Sequence, residues 1–418
     1  MKWGKVRGDF PLLGKKIKGK RIIYFDNACN TLRPRQVIDS ITDYHSRLSS
    51  CAGKRSSHAL SKETEEKCIQ AREKTERFIN SADNGKIMWT KNTTEAVNLV
   101  ANSLEIGKGK NVVCSVLDHH SLSLPFHKKS QKEGLELRVV ECSRDGLFET
   151  EAWEKAIDRN TRAVLLTHAS NVTGSILQAE EIIKIAHESK AIALLDCAQS
   201  APHLQLDMKK LDCDFACFSM HKMLGPGGMG VLFAKNSALE GLGEFMVGGD
   251  TVRNVKYAKG RIMPEYLPAP KKFEAGLQDY AGIIGSGSAI EYLASIGMEK
   301  IRERDEELSK IFLEKTAETD GIELIGPKNP EKRLATFSFI LKSCVSPKDL
   351  AEFMDTELKG SVICIQAGTH CANPFHYFIG IDPEKGEGTT RASLYFYNTK
   401  EEIGAFFEAL GLFLEKTG

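Results

Sequence analysis

The sequence lacks long apolar runs and any excess of charge. No eighteen apolar residues follow one another in the 418-residue chain, which predicts no membrane-spanning helix. Lys and Arg total 57 against 56 Asp and Glu, a formal net charge of +1, so the charge balance favours neither a nucleic acid nor an anionic membrane as partner. The N-terminus also lacks the continuous apolar stretch of a signal peptide, and we expect a cytoplasmic protein.

The cysteines lack the spacing of a metal site. There are eleven, no CxxC pair occurs, and Cys213 and Cys217 have no second ligand pair nearby, so the sequence predicts no bound metal. In a reducing compartment most of these thiols should be free. A free cysteine is most often a buried apolar residue, so each one needs further support before it is assigned a function.

The chain does contain apolar, β-branched runs that alternate with helical patterns. The runs that predict strands are residues 21–25, 86–90, 111–116, 135–141, 161–169, 191–198, 215–220 and 230–234. Several are apolar on both faces, as in a sheet that is covered by helices on each side. The alternation therefore predicts an α/β fold with a mainly parallel sheet.

From about residue 285 the pattern changes to two helices, separated strands and a final helix that opens with capping-box spacing at Thr399 and Glu402. The change predicts a large domain over residues 20–285 and a smaller α+β domain over residues 286–418, to which the N-terminal segment 1–19 is added. The stretch 253–272 is predicted to be a long irregular loop.

The glycine-rich segment "GPGGMG" (225–230) fits the G-x-G-x-x-G pattern of dinucleotide-binding proteins. That pattern acts where a strand ends and a helix begins, because the helix N-terminus meets the pyrophosphate. Here the glycines lead into a predicted strand instead. The segment is therefore interpreted as a tight turn that reverses the chain behind Lys222.

Polar side chains gather at the predicted ends of strands. Asp196 closes one strand with Gln199 three residues later, Lys222 follows another, and Thr93 and Thr94 begin a helix directly after a third. Taken singly, such residues are more often caps, turns or solvated charges. Together they provide helix-terminal groups for a phosphate, a carboxylate for a ring nitrogen and an amine for a Schiff base, a combination that predicts pyridoxal phosphate.

Cys371 lies in "AGTHCANP" (367–374), between a glycine and a proline and next to the polar Thr369 and His370. These neighbours predict a loop rather than a core position. The segment alone supplies no reaction, so at this point Cys371 can be either a small core residue or a nucleophile on a loop.

The motifs along the chain resemble those of the class V aminotransferase superfamily, and specifically the group II, SUF-type cysteine desulfurases. The segments that carry the resemblance follow the family's order: "VRGDFPLL", "IIYFDNAC", "TTEAVNLVANSL", "DHHSLSLPF", "THASNVTG", "LLDCAQSAPH", "LDCDFACFSMHKMLGP", "FEAG", "GTHCANP" and "RASLYFYNT". The resemblance runs nearly end to end. It implies fold type I of the pyridoxal-phosphate-dependent transferases, with a mainly parallel, mixed seven-stranded sheet in the large domain.

The resemblance also implies how the cofactor is held. Lys222 would form the Schiff base, Asp196 would pair with the pyridine nitrogen, and Gln199 would bond the ring hydroxyl. His119, the first of the histidine pair, would stack on the ring. The phosphate would be held by Thr94, Ser219 and His221.

For the substrate, the resemblance implies that Arg391 grips the carboxylate of L-cysteine by a bidentate pair and that Asn171 lies near the ring and the substrate. The freed Lys222 would remove the Cα proton, His119 could carry a proton, and Cys371 would take the sulfur as a persulfide while L-alanine leaves. His370 or the substrate chemistry itself would deprotonate the thiol. The short gap between Cys371 and Arg391 favours group II over group I.

The implied function is therefore a pyridoxal-phosphate-dependent cysteine desulfurase that provides sulfur for iron–sulfur cluster assembly. The implied partners are a sulfur-acceptor protein and a second copy of the chain in a homodimer. Two alternatives stay open. The first is another class V reaction, such as that of a selenocysteine lyase, for which the substrate would be L-selenocysteine. The second is a non-catalytic scaffold for iron–sulfur assembly.

Four positions depart from the family's pattern. Gln366 stands where an Arg is usual, five residues before the cysteine, so one substrate-facing charge is missing. Leu277 replaces the Thr that is expected to reach the phosphate of the partner subunit. Asn92 replaces a Gly of the phosphate loop, and Asp250 stands near an expected anion. These changes concern substrate preference and the contact between subunits rather than the cofactor core.

Overall fold

The structure is a computed structural model that describes residues 2–53, 56–342 and 345–417. Within these ranges the strands are β1 (Lys16–Ile17), β2 (Lys20–Tyr24), β3 (Gly85–Thr90), β4 (Asn111–Ser115), β5 (Glu136–Val140), β6 (Thr161–Thr167), β7 (Ile192–Asp196), β8 (Phe215–Ser219), β9 (Gly230–Lys235), β10 (Val252–Ala258), β11 (Arg261–Tyr266), β12 (Ile322–Ile325), β13 (Thr336–Leu341), β14 (Ser361–Cys364), β15 (Gln366–Gly368) and β16 (Thr389–Ser393).

The α-helices of the same ranges connect and cover these strands. They are α1 (Trp3–Arg7), α2 (Arg35–Asp43), α3 (Ala59–Phe78), α4 (Thr93–Ser103), α5 (His120–Glu133), α6 (Thr150–Ala156), α7 (Ala179–Glu188), α8 (Met208–Leu211), α9 (Asn236–Leu239), α10 (Tyr280–Ile296), α11 (Met298–Ala317), α12 (Pro347–Thr356), α13 (Asn373–Phe378) and α14 (Lys400–Thr417). No helix in the described part of the chain is long and apolar enough to cross a membrane.

The central layer is a seven-stranded sheet in the order β3-β9-β8-β7-β6-β4-β5. Its strands run parallel except β9, which pairs antiparallel with both β3 and β8. Every residue of β4 and β8 is buried, because helices cover both faces and leave no polar face to solvent. The predicted mixed seven-stranded sheet is confirmed.

A second sheet, β12-β13-β16-β15, is antiparallel and belongs to the C-terminal part of the chain. An aromatic cluster packs beside it, in which the rings of Phe312 and Phe337 stack with their centroids 4.0 Å apart. The predicted capping box at the start of α14 is present: the Glu402 carboxylate accepts from the Thr399 N–H, and the Glu402 N–H donates to the Thr399 hydroxyl.

Strand β2 lies outside the large sheet. It pairs in parallel with β14, and Ile23 and Phe25 pack in the apolar cluster of the C-terminal part. The domain boundaries from the sequence stay a prediction, but this pairing assigns the strand at residues 20–24 to the smaller layer. The reason is long-range pairing, which an isolated strand pattern does not reveal.

The prediction of an irregular loop over residues 253–272 is wrong for most of that stretch. β10 and β11 form an antiparallel hairpin, with an irregularity in register between Val252 and Asn254. Lys259 and Gly260 at its turn both have positive φ, as a two-residue hairpin turn of type I′ requires. The strands escaped detection because nearly all their residues are exposed, so no alternation of apolar and polar residues marks them.

The glycine-rich segment forms the predicted turn. The Met220 N–H donates to the Met229 carbonyl at 2.9 Å, and the Gly225 N–H returns to the Met220 carbonyl at 2.8 Å. The chain thus reverses directly behind Lys222 and enters β9 at Gly230. No helix follows these glycines, so the geometry of a dinucleotide-binding loop is not formed there.

Candidate active site

A cavity of about 280 Å³ lies at the carboxyl ends of the central strands, where the C-terminal part closes over them. All the site residues predicted from the sequence line it: Thr93, Thr94, His119, Asn171, Asp196, Gln199, Ser219, His221, Lys222, Cys371 and Arg391. The structure therefore brings these residues together, as expected for polar groups that follow neighbouring parallel strands. Their individual roles stay predictions.

Lys222 is held by the turn that follows β8. It ends a short 3₁₀ turn, Met220–Lys222, and the His221 carbonyl accepts both the backbone N–H and the hydroxyl of Thr31 at 3.0 Å. Burial lowers the pKa of the Lys222 amine, while Asp196 opposes this effect. A lowered pKa increases the fraction of neutral amine, which is the nucleophilic form that a Schiff base requires.

Asp196 ends β7 and is a buried residue of the cavity wall. The Ala198 N–H donates to its Oδ1 at 2.8 Å. Burial raises the pKa of Asp196, and the Ala198 N–H and Lys222 act in the opposite direction. A further cationic partner would keep this carboxylate ionised, which is the property expected of a partner for a protonated ring nitrogen.

Gln199 lies three residues after Asp196 and is also buried. Its Nε2 donates to the Ala28 carbonyl at 2.8 Å, so the side chain is held against the segment that follows β2. With the Nε2 donor used in this way, the amide is fixed in orientation at the cavity wall.

Hydroxyl groups from separate elements gather in the part of the cavity next to the start of α4. The backbone N–H and the hydroxyl of Thr93 lie 2.9 and 2.8 Å from the Ser219 Oγ, and the Thr94 hydroxyl lies 2.7 Å from the Ser121 Oγ. Asn92 caps α4, with its Oδ1 accepting from the Glu95 N–H at 3.0 Å. Hydroxyls beside a helix N-terminus suit a phosphate.

Asn92, which stands where the family has a glycine, packs closely against Gly230. A Cβ on Gly230 would lie 2.6 Å from the Asn92 Cα, so only a glycine at position 230 lets β9 approach this loop. Asn92 itself has extended backbone and gains a helix cap through its side chain. The departure at Asn92 therefore leaves the phosphate end of the cavity intact.

His119 immediately precedes α5 and caps it through its ring. The Ser121 N–H donates to Nδ1 at 3.1 Å, so the neutral ring carries its proton on Nε2. Burial lowers the pKa of His119 to about 3, and the nearby Lys222 contributes to this shift. The ring is therefore neutral at physiological pH and offers an N–H donor from Nε2.

His221 lines the same cavity next to Lys222. Burial, together with the charge on Lys222, lowers its pKa to about 4. At neutral pH it is therefore an uncharged hydrogen-bonding group. It can contact a phosphate as a neutral partner, but it adds no positive charge.

Arg391 lies on β16 and is almost fully buried. Its Nη2 donates to Asp26 Oδ1 at 3.3 Å and to the Gln366 Oε1, and its Nη1 donates to the Asn171 carbonyl at 3.1 Å. Its Nε–H is buried without a hydrogen-bond partner among the described residues. Such an orphaned donor on a cationic group is expected where an anionic ligand binds.

Gln366 shows what its departure from the usual Arg does. The amide oxygen accepts from Arg391, so it orients the guanidinium that an arginine at this position would repel. One cationic group is lost, but the remaining one is held by a neutral neighbour. The expectation of a missing charge is correct, and the structure adds a positioning contact.

Cys371 is exposed on a loop whose backbone is firmly held. His370 and Cys371 both have positive φ, 52° and 57°, a conformation that costs non-glycine residues energy and that persists only when other contacts impose it. Here the Asn171 Nδ2 donates to the His370 carbonyl at 2.7 Å, and the His120 N–H donates to the Cys371 carbonyl at 2.9 Å. The contacts fix the backbone and leave the thiol free at the cavity.

His370 does not have the properties of a base for the thiol. Its Nε2 lies 3.0 Å from the Thr389 hydroxyl and its Nδ1 lies 3.4 Å from the Gln366 Oε1. Burial lowers the pKa of the ring well below its usual value, with Arg391 adding to the effect. Both ring nitrogens are engaged by neighbours, so of the two sources of deprotonation considered for Cys371, the substrate chemistry is the one that the structure favours.

Sequence reasoning missed several lining residues. Ser121 lies at the phosphate end, and Cys29 enters the cavity wall from the loop after β2. Asp26, beside it in sequence, pairs with Arg391. The "DNAC" segment that holds both residues contributed to the family resemblance, but nothing local indicated that a strand of the smaller layer would deliver it here.

The donor set of the cavity fits pyridoxal phosphate. Hydroxyls and a helix N-terminus lie at one end, a buried carboxylate and a lysine of lowered pKa lie at the centre, and an arginine with an orphaned N–H lies at the other. These groups match a phosphate, a ring nitrogen with an aldehyde, and a substrate carboxylate, in that order. In the described residues no group of three or more His, Cys, Asp or Glu side chains could hold a metal ion.

Comparison with known families identifies the class. The chain matches the family model for Aminotransferase class-V over residues 23–406, and it belongs to that family. The match includes every residue predicted for the site.

Similar proteins include a probable cysteine desulfurase of Halalkalibacterium halodurans, 36% identical over 99% of this chain and 97% of the relative. Among solved structures, the apo cysteine desulfurase of Thermococcus onnurineus has a TM-score of 0.90 at 31% identity, covering 99% of this chain and 98% of that one. An Escherichia coli cysteine desulfurase in an S-sulfonic acid form has a TM-score of 0.87 at 27% identity, with both chains covered completely. The predicted fold type I architecture is confirmed.

His168, directly below the cavity, makes stability depend on pH. Burial lowers its pKa from 6.5 to about 4. The unfolded chain therefore binds this proton at a higher pH than the folded chain does, so stability is retained above pH 6.5 and is lost as the pH falls towards 4. Replacing His168→Gln should flatten this loss by up to about 1.4 kcal/mol per pH unit, measured by urea unfolding at a series of pH values. The exposed His45→Gln serves as control, and equal slopes in both variants would contradict the prediction.

Proposed function

We propose that the protein is a pyridoxal-phosphate-dependent cysteine desulfurase of the group II, SUF type, which converts L-cysteine to L-alanine. The observation that carries the proposal is the placement of an exposed thiol, Cys371, on a pinned loop of the cavity that also holds Lys222 and Asp196. A class V fold with the lysine alone would support many reactions. The thiol in the same cavity as the lysine is what favours transfer of sulfur.

The residues would hold the cofactor by the contacts that the cavity offers. Thr94, Ser219 and His221 would bind the phosphate, Asp196 the ring nitrogen and Gln199 the ring hydroxyl, while Lys222 would be the point of covalent attachment. When bound, pyridoxal phosphate draws electrons from the Cα of the amino acid attached to it. The remaining steps depend on groups of the chain itself.

Substrate binding would depend on Arg391. Its orphaned Nε–H can donate to an oxygen of a carboxylate, and the guanidinium supplies the opposite charge. Asn171 donates to the Cys371 loop and accepts from Arg391, so it links the carboxylate site to the thiol. The amino acid would thus be oriented with its side chain towards Cys371.

Proton movement would involve two groups. The Lys222 amine, whose pKa is lowered by burial, would take the proton from Cα. His119, neutral and with its proton on Nε2, would donate a hydrogen bond from the cavity wall rather than act as a cation.

Sulfur transfer would take place at Cys371. Its thiolate would attack the sulfur of the substrate, forming an S–S bond as the Cβ–S bond breaks. The electron pair of the broken bond stays with carbon, which takes up a proton and leaves as alanine. The enzyme is left with a persulfide on Cys371, from which an acceptor protein involved in iron–sulfur assembly would take the sulfur.

The direct test uses the purified holoenzyme with L-cysteine and a reductant. Alanine and sulfide should appear in equal amounts. A parallel reaction with L-selenocysteine tests the alternative of a selenocysteine lyase. The lyase would be favoured if kcat/KM for selenocysteine greatly exceeded that for cysteine and did not depend on Cys371. Absence of alanine from both substrates would favour the non-catalytic scaffold and overturn the proposal.

The cysteines support two further parts of the proposal: a cytoplasmic location and a sulfur-acceptor protein as partner. All ten cysteines in the described part of the chain are free, while Cys344 lies outside the described residues. Free thiols suit a reducing compartment such as the cytoplasm. The exposure of Cys371 suits delivery of sulfur to another protein rather than to a buried site.

We also propose that two copies of the chain form a homodimer through the hairpin β10–β11. Tyr257 and Ile262 are cross-strand partners, and the side chains are 77% and 72% exposed. Val255 lies on the same face, two residues before Tyr257, and is 48% exposed. A continuous apolar face of this kind is typical of a covered interface. Leu277, 72% exposed where the family's Thr would reach the partner subunit, would add apolar area to it.

The dimer prediction can be tested on the hairpin face. The double substitution Tyr257→Glu and Ile262→Glu should shift the protein from dimer to monomer in sedimentation velocity experiments, because four charges would oppose one another across a two-fold axis. Lys256→Glu, on the other face of the same hairpin, is the matched control and should stay dimeric. A wild-type protein that sediments as a monomer at micromolar concentration would refute the proposal.

A further inference from the structure

A second thiol, that of Cys29, lines the active-site cavity with Cys371. Both are exposed, whereas Cys114, Cys197 and Cys217 are buried in the large sheet or directly beside it. Both cysteines therefore line the same cavity, which has a volume of about 280 Å³. The proposed reaction makes use of only one of them.

The two thiols also share one electrostatic environment. Lys222 and Arg391 line the same cavity as Cys29 and Cys371. These cationic groups lie at the centre and at the substrate end of the cavity. Cys29 therefore lies on the side of the molecule where the proposed reaction takes place.

The backbone that carries Cys29 is held on both sides. Ala28 donates its N–H to the Ser393 Oγ at 2.9 Å and accepts from Gln199 at 2.8 Å, and the Cys29 N–H donates to the Asp26 carbonyl at 3.2 Å. Ser393 follows closely after Arg391 on β16, which pairs with β15 just before the Cys371 loop. The two cysteine loops are thus anchored to one strand, while both thiols stay free.

We propose that Cys29 is a second sulfur carrier, which takes the outer sulfur atom from the persulfide of Cys371. The inference rests on the proposed desulfurase function and deepens it. The Cys29 thiolate attacks the outer sulfur, the S–S bond on Cys371 breaks, and a new S–S bond forms on Cys29. The electron pair of the broken bond returns to Cys371, which takes up a proton. The transferred sulfur keeps its oxidation state, so neither an oxidant nor a reductant is consumed.

The consequence is a larger sulfur load per chain. Transfer to Cys29 returns Cys371 to its thiol form, so a second molecule of substrate can react before any acceptor arrives. The chain then holds two sulfane sulfur atoms, one on each cysteine. An enzyme with a single carrier would stop after one turnover under the same conditions.

The test measures the first turnovers of the holoenzyme without reductant or acceptor protein. L-cysteine is added at a small multiple of the enzyme concentration, alanine is counted per chain, and thiols are trapped by alkylation before peptide mass spectrometry. The wild type should form close to two alanines per chain in the fast phase. Cys29→Ser and Cys29→Ala should form close to one, a twofold loss, with an unchanged cofactor absorbance and an unchanged first turnover. Cys51→Ser, an exposed thiol outside the cavity lining, should behave as the wild type does.

Mapping of the sulfur separates the possible outcomes. Added sulfur on the peptides of both cysteines, and none on Cys29 in the Cys371→Ser variant, supports the relay. A second sulfur found only on Cys371 as a polysulfide, or an equal burst in Cys29→Ser and wild type, overturns it while leaving the desulfurase function in place. Sulfur on Cys29 in Cys371→Ser also overturns it, because the thiol would then react with substrate directly. If the wild type forms no alanine at all, it is the proposed function that has failed.

Discussion

Replacing Lys222 with alanine is expected to abolish turnover of L-cysteine, with a loss of at least about 10³-fold in kcat. Proton transfer by one positioned group contributes about 10²–10⁴-fold, and this variant also loses the point of covalent attachment. Alanine formation by the purified protein measures the loss. The absorbance spectrum gives a second readout, because a cofactor that is bound without the lysine link has the spectrum of the free aldehyde.

The control for this variant is Lys210→Ala, since Lys210 is an exposed lysine that pairs with Glu180 and does not line the cavity. It should retain both the activity and the spectrum. Substantial alanine formation by Lys222→Ala, with a spectrum like that of the wild type, would show that the reaction does not depend on this amine. The assignment of the whole cavity would then have to be revised.

Replacing Cys371 with serine is expected to reduce sulfide release from L-cysteine by at least about 10²-fold while the cofactor absorbance is unchanged. A serine hydroxyl is a far weaker nucleophile than a thiolate towards sulfur, and the thiolate is the reactive species of a cysteine. The side chain is exposed and its loop is held through backbone groups, so the substitution should leave the fold intact. Sulfide and alanine are measured together in the presence of a reductant.

The control for this variant is again Cys51→Ser, which also removes an exposed thiol. It should keep full activity, since Cys51 does not line the cavity. If Cys371→Ser released sulfide at the rate of the wild type, the persulfide mechanism would be wrong and a direct lyase reaction would take its place. A variant that loses the cofactor absorbance as well would have to be compared with Cys371→Ala before the loss is assigned to the thiol.

Most of the large sheet could be predicted from the sequence. The strands around Val113, Leu165, Leu194 and Phe218 are apolar runs that are buried on both faces, so their type and order follow from composition and from the alternation with helices. The residues at their carboxyl ends could also be predicted to converge, because parallel strands end at one edge of the sheet. Asp196, Lys222 and the start of α4 are examples.

The hairpin β10–β11 and strand β2 show where sequence patterns fail. β10 and β11 lack an apolar–polar alternation, since almost all their side chains are exposed in a single chain. β2 was detected as a strand, but its partner β14 lies more than three hundred residues later. Such pairings depend on long-range contacts that no local window contains.

For single residues too, the sequence identified the residue while the fold was needed to show its contacts. Gln366 could be recognised as a departure from a family pattern, but its contact with Arg391 required the register of β15 on β16. His370 looked like a base beside the thiol in sequence. In the fold its ring turns to Thr389 and Gln366, because the positive φ at residues 370 and 371 separates the directions of neighbouring side chains.

The α/β class, the pair formed by Lys222 and Asp196, and the loop position of Cys371 could all be inferred from the sequence. These features depend on local hydrophobic patterns and on residue types at the ends of strands, which a short segment of sequence contains. The fold was needed to show that Cys29 shares the cavity with Cys371 and that Arg391 has an orphaned donor there. Both depend on how the smaller layer packs over the large sheet, and that packing brings together residues far apart in sequence.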